Sequence, residues 1–90
     1  MYDLIISDSY LKKAKKFFAR RPELLSKYAK VLSLLRLDPG NPALKLHKLN
    51  GNLGHCYAVS VSLSYRLVIY FVFVKNSIVL VEIGSHEQVY

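Results

Sequence analysis

Cysteine occurs once in this chain, at Cys56, so no internal disulfide can form and a reducing cytoplasm is the expected compartment. A lone thiol of this kind is more often a small hydrophobe than a nucleophile. Acidic residues are also scarce. Six Asp and Glu face thirteen Lys and Arg, giving a net charge of +7 and a pI near 9.7. That balance points to a polyanion or an acidic protein as partner. No apolar run reaches the ~18 residues of a membrane span, because Lys75-Asn76-Ser77 interrupts the longest one. The opening MYDLIISDSY lacks the positive start and small-residue cleavage site of a signal peptide. There is no repeat, linker or low-complexity segment. The three histidines have no close ligand spacing, so no metal or other cofactor is expected.

What is present is a hydrophobic chain, 52% apolar over 90 residues, which predicts one domain spanning 1–90 with a modest core. The stretch from Tyr65 to Tyr90 reads as two long apolar strands joined by a polar turn, with Arg66 opening the first and Glu82 and Gly84-Ser85-His86 closing the second. Ahead of it, Tyr2 to Ser7 reads as a short strand, and Ser7-Asp8-Ser9 supplies oxygens to cap a helix. Tyr10, Leu11, Ala14, Phe17 and Phe18 share one arc of that helix, opposite Lys12, Lys13, Lys16 and Arg20. Arg20-Arg21-Pro22 breaks it, and Pro22 begins a second helix whose buried face is Leu24, Leu25, Tyr28, Val31, Leu32 and Leu35. Leu34 and Leu37 fall outside that stripe, among Lys27 and Lys30, as a foothold for a partner. Asp38-Pro39-Gly40-Asn41-Pro42 ends the helix.

Tyr57, Val59 and Val61 alternate with Ala58, Ser60 and Ser62, which predicts a third strand. Leu67, Ile69, Phe71 and Phe73 form the core face of the strand after it, and Val79, Val81 and Ile83 that of the last. Aligning core with core sets Arg66 opposite Ser60 on one side and Gly84 on the other, with Glu82 diagonal to Arg66 on an open face. The fold class is therefore α+β. A first strand, two helices (roughly 8–20 and 22–37) and a three-stranded antiparallel meander make a four-stranded, mainly antiparallel sheet with both helices on one face.

Three segments, HKLNG from His47 to Gly51, GHCYAVSVSLSYRLVIYF from Gly54 and IGSHEQVY at the end, resemble in order and spacing the RelE/ParE superfamily of type II toxin–antitoxin toxins, nearest its RelE and YafQ branch. The resemblance covers nearly the whole chain. It implies that Arg66 is the family's strand arginine, that His47 is the histidine of an H-x-L-x-G segment, and that Gly84, Ser85, His86 and Tyr90 match its C-terminal segment. Where RelE-type toxins carry lysines on the strand preceding the arginine, this chain has Ala58 and Ser60. Where the YafQ type has a further histidine and aspartate, it reads Val61-Ser62-Leu63-Ser64-Tyr65.

The implied activity is mRNA cleavage on the ribosome by an endoribonuclease, neutralised by an antitoxin with an acidic segment. Operator DNA would be bound only through that antitoxin. The implied roles are His86 as general acid or base, Arg66 as the phosphate-binding cation, and His47 and Tyr90 as assistants. Ser60, Ser85, Lys48 and Glu82 would line the substrate, and Leu34 and Leu37 would meet the antitoxin. The alternatives on this fold are a non-enzymatic, ParE-type poison of DNA gyrase and a catalytically weak relic retained as a partner of its antitoxin. Simpler readings exist for single residues: His55 as incidental, and Arg66 with Glu82 as a cross-strand ion pair.

Overall fold

The computed structural model describes residues 1–85. Strand β1 (Asp3–Ile5) leads into helix α1 (Asp8–Ala19), and Ser7 caps α1 by accepting a 3.0 Å hydrogen bond from the Tyr10 amide. Pro22 opens a single 3-10 turn, Pro22–Leu24, that runs into α2 (Leu25–Leu37). Asp38 ends that helix, as the Asp-Pro-Gly-Asn-Pro run predicts. The remaining strands are β2 (His47–Lys48), β3 (Tyr57–Ser60), β4 (Tyr65–Val72) and β5 (Ser77–Ser85).

The sheet has the order β1-β5-β4-β3-β2, with β1 parallel to β5 and the other pairs antiparallel. This is the expected α+β class with one more strand than expected. The addition is β2, which pairs only His47 with Ala58 and Lys48 with Tyr57. A two-residue ladder is too short to leave a period-two pattern in sequence.

Both helices lie on one face. Tyr10, Ala14, Phe17 and Phe18 of α1 and Val31 and Leu35 of α2 pack against Val59, Leu67, Ile69, Ile78, Leu80 and Ile83. Leu11 and Leu25, expected on the buried stripes, are exposed at 41% and 49%, because the arc each helix turns to the sheet is narrower than its apolar arc. The Tyr10 and Tyr28 hydroxyls lie 2.7 Å apart and tie the two helices together. Burial, above all, pushes the Tyr10 phenol far up.

Uniform alternation along β5 does not hold. Val68 pairs with Glu82 and Ile69 with Leu80, so Val81 is an extra residue in a β-bulge. Parity changes there: Ile78 and Leu80 join Ile83 in the main core, whereas Val79 is half-buried and Val81 packs in a second cluster. Phe73, expected on the core face of β4, is 72% exposed. The chain has already left the strand for a 3-10 turn, Phe73–Lys75, which ends at Asn76 with φ of 50°. The second face of the sheet is only partly open. Leu49, Cys56, Ala58 and Val68 form a small core there, with Leu53, Tyr70 and Val81 packed against it.

Leu35 is fully buried and Leu37 is 67% exposed, two residues apart on one helix. In urea unfolding, Leu35→Ala is expected to cost about 2–5 kcal/mol, and Leu37→Ala no more than about 0.5 kcal/mol. Equal losses would contradict the orientation of α2.

Candidate functional site

Arg66 is the best-organised cation of the sheet. Between β3 and β4 the chain turns through Val61–Ser64, and the turn is closed by the Val61 and Ser62 amides donating to the Tyr65 carbonyl at 3.0 and 3.3 Å. Nη1 of Arg66 donates to three carbonyls of this segment, Ser62 at 2.8 Å, Tyr65 at 3.2 Å and Leu63 at 3.3 Å. The Ser60 hydroxyl donates to the same Ser62 carbonyl at 3.0 Å, so the two side chains converge on one acceptor. Ser60, Arg66 and Gly84 stand in one row across β3, β4 and β5, as core alignment predicts. Among the described residues no carboxylate pairs with Arg66, and Nε and Nη2 carry no hydrogen bond. A guanidinium held by one nitrogen keeps its other edge for a phosphate.

His47 lies on the same face. Its row partner Ala58 is two residues from Ser60 on β3. Two strand spacings across and two residues along separate His47 from Arg66 by roughly 12 Å between Cα atoms, a span for two long side chains to reach one phosphodiester. His47 is exposed, with Nδ1 3.0 Å from the Lys45 carbonyl.

The other expected site residues stand elsewhere. Lys48 pairs with Tyr57, and Ser85 with Tyr65, which puts both on the helix side of the sheet by alternation. Glu82 is not a cross-strand partner of Arg66. Its carboxylate is 3.2 Å from Lys13 Nζ on α1. By register Glu82 pairs with Val68, diagonal to Arg66 as expected. Pairing of β1 with β5 stops at Val79, which leaves the following edge of β5 to α1, and there the carboxylate meets Lys13. There Glu82 borders a cleft of about 420 Å³ with Lys13, Lys16, Phe17, Arg20 and Arg21. His86 and Tyr90 lie outside the described residues. Leu34 is half-buried against the main core and so less exposed than expected. With Leu37, Lys30 and Ser33 it lines a shallow apolar groove of about 460 Å³ on α2.

No protein-family model matches this sequence, and no curated protein gives a significant match. Solved structures do. The metal-bound toxin from Helicobacter pylori superposes with a TM-score of 0.80 at 25% identity, covering 100% of both chains. YafQ from E. coli strain BL21(DE3) gives 0.79 at 16% identity, over 100% of this chain and 99% of that one. YafQ in the E. coli DinJ-YafQ toxin-antitoxin complex gives 0.77 at 20% identity, over 99% and 97%. The chain has the RelE/ParE toxin fold. The resemblance carried by HKLNG, YRLVIY and the C-terminal segment is thus borne out at the level of fold.

On this RelE/ParE fold no group of three or more His, Cys, Asp or Glu is placed to hold a metal among the described residues. His55 is exposed and stands 5.7 Å from the Tyr70 ring. Two residues that sequence reasoning passed over are tied together. Arg21 Nε donates to the Tyr65 hydroxyl at 2.9 Å, and its guanidinium lies over the Phe17 and Tyr65 rings. In sequence Arg21 is only part of a helix break, and nothing local links it to Tyr65.

Cys56 is 1% exposed within the second cluster, and burial pushes its thiol up. At pH 7.5 the native protein is therefore expected to resist an aromatic disulfide reagent and to react at once in denaturant. Rapid labelling of native protein would show that the Leu49–Cys56 loop opens readily.

Proposed function

We propose that this chain is the toxin of a type II toxin–antitoxin system, an endoribonuclease that cuts mRNA on the ribosome in the cytoplasm and is silenced by a cognate antitoxin. The observation that carries the reading is Arg66: a guanidinium held by three carbonyls, its Nε and Nη2 unengaged among the described residues, on the face that also holds Ser60 and His47. A solved toxin–antitoxin complex of the same fold supports the partner.

In the proposed reaction a base takes the proton of a ribose 2′-hydroxyl, and that oxygen attacks the adjacent phosphorus. The P–O5′ bond breaks, an acid protonates the departing 5′-oxygen, and a 2′,3′-cyclic phosphate remains. Arg66 offsets the charge that builds on the phosphoryl oxygens. His86 is the acid or base, with His47 and Tyr90 assisting. The roles of His86 and Tyr90 rest on the C-terminal GSHEQVY segment. Ser60 helps to hold Arg66 and the substrate. Operator DNA is reached only through the antitoxin.

The test is mRNA cleavage in a translating extract by wild type, Arg66→Ala, His86→Ala and His55→Ala. Loss of a general acid–base group is expected to slow cleavage ~10²–10⁴-fold, and Arg66→Ala to be comparably impaired, while His55→Ala cuts as fast as wild type. If His86→Ala cuts normally, His47 takes over the role. If wild type stops growth without cutting RNA, the chain is a binder of the gyrase-poison kind.

The antitoxin is expected to present an acidic segment to a chain of charge +7 and apolar side chains to the Leu34–Leu37 groove. Its affinity should fall steeply as salt rises and weaken on Leu37→Asp. An affinity indifferent to salt would refute the charge argument.

A further inference from the structure

We infer that Arg21 is a positioning residue for Arg66, acting through Tyr65; the inference rests on the reading of Arg66 as the phosphate-binding cation. Arg21 stands in the break between α1 and α2, on the helix side of the sheet, whereas the Arg66 site is on the other. Its guanidinium carbon is 4.4 Å from the Phe17 ring centre and 5.0 Å from that of Tyr65. Nε donates to the Tyr65 hydroxyl at 2.9 Å and Nη1 to the Phe17 carbonyl at 3.3 Å. Phe17 meets Tyr65 edge-on, ring centres 5.1 Å apart. The Tyr65 side chain is thus clamped from the helical layer by stacking, by an aromatic edge and by a hydrogen bond.

Tyr65 passes that restraint through the sheet. Its carbonyl is the shared acceptor for the Val61 and Ser62 amides and for Arg66 Nη1. The other two carbonyls that hold Arg66, those of Ser62 and Leu63, lie inside the turn that Tyr65 closes. Among the described residues little else anchors the turn. Leu63 is 90% exposed, and the serine contacts, Ser60 Oγ to the Ser62 carbonyl and the Ser64 amide to Ser62 Oγ, are local to it. Val61 is buried and secures one end; Tyr65 secures the other. Loosening the clamp therefore frees the turn and with it the direction of the open edge of the Arg66 guanidinium. Catalytic groups tolerate about 0.5 Å of misplacement before rate is lost.

The experiment compares wild type with Tyr65→Phe, which deletes one oxygen and keeps the ring packing, with Arg21→Gln, and with Arg21→Lys, which keeps the charge and loses the planar fork. NMR reads amide exchange at Val61 and Ser62 and the order of the Arg66 Nε–H, and single-turnover RNA cleavage reads the rate. In all three variants exchange at the two amides is expected to rise about tenfold and Arg66 Nε–H to lose order, with helix amides unchanged. The cleavage rate should fall about tenfold at unchanged KM. Arg21→Gln with Tyr65→Phe should be no slower than either alone, and Arg21→Gln should add nothing to Arg66→Ala.

Unchanged exchange and Arg66 order in the variants would overturn the inference, as would equal slowing by Arg21→Gln with and without Arg66. A wild type that cuts no RNA would defeat the proposed function instead, and the two NMR readouts would still decide the clamp.

Discussion

Leu67 and Ile69 fix the face of the sheet on which Arg66 stands. Both are fully buried in β4 under the helices, and strand alternation then leaves Arg66 no choice of face. Sliding β4 by one residue would bury a guanidinium and expose two large aliphatic side chains, so the register is held by several kcal/mol of opposing burial terms. The row Ser60–Arg66–Gly84, the turn that folds back over Arg66, and the shared Ser62 carbonyl all follow from that one placement.

What could be read from sequence was what local periodicity controls. The Ser7 cap, the α1 stripe of Tyr10, Ala14, Phe17 and Phe18, the Pro22 start and the Arg66 row are each decided by residues near one another or by simple parity. The bulge was hidden because Val79, Leu80 and Val81 are all apolar, so no change of pattern marks where parity switches. Glu82 keeps its expected register, diagonal to Arg66, but its ion-pair partner Lys13 comes from a distant helix that docks on the free part of β5, which no local pattern shows. Leu34 lies outside the stripe that helical spacing alone gives, and what partly covers it comes from elsewhere in the chain, Ala43, Leu44 and Val61. Arg21 draws its meaning from Tyr65, which is 44 residues away in the chain, so no local pattern marks it.

The positive charge is divided rather than uniform. Lys13, Lys16 and Arg20 gather with Glu82 on the helix side, and Arg66 stands on the opposite face of the sheet. The first group flanks an open cleft and is held in part by its one carboxylate. The second is a single guanidinium oriented by neutral carbonyls. Surface charge of the first kind sets long-range attraction, whereas a restrained cation of the second kind sets local geometry.

The parallel pairing of β1 with β5 joins Asp3 to Ser77 and Ile5 to Val79, so the earliest strand completes its hydrogen bonds only with one of the last. A chain emerging from the ribosome holds β1 and both helices long before β5 exists, and the place between β1 and β4 stays empty until then. Closure of so long a loop makes folding a late and slow event. Arg66 lacks its Gly84 neighbour through that whole interval. Synthesis itself thus sets a delay between translating this chain and assembling the surface around its arginine.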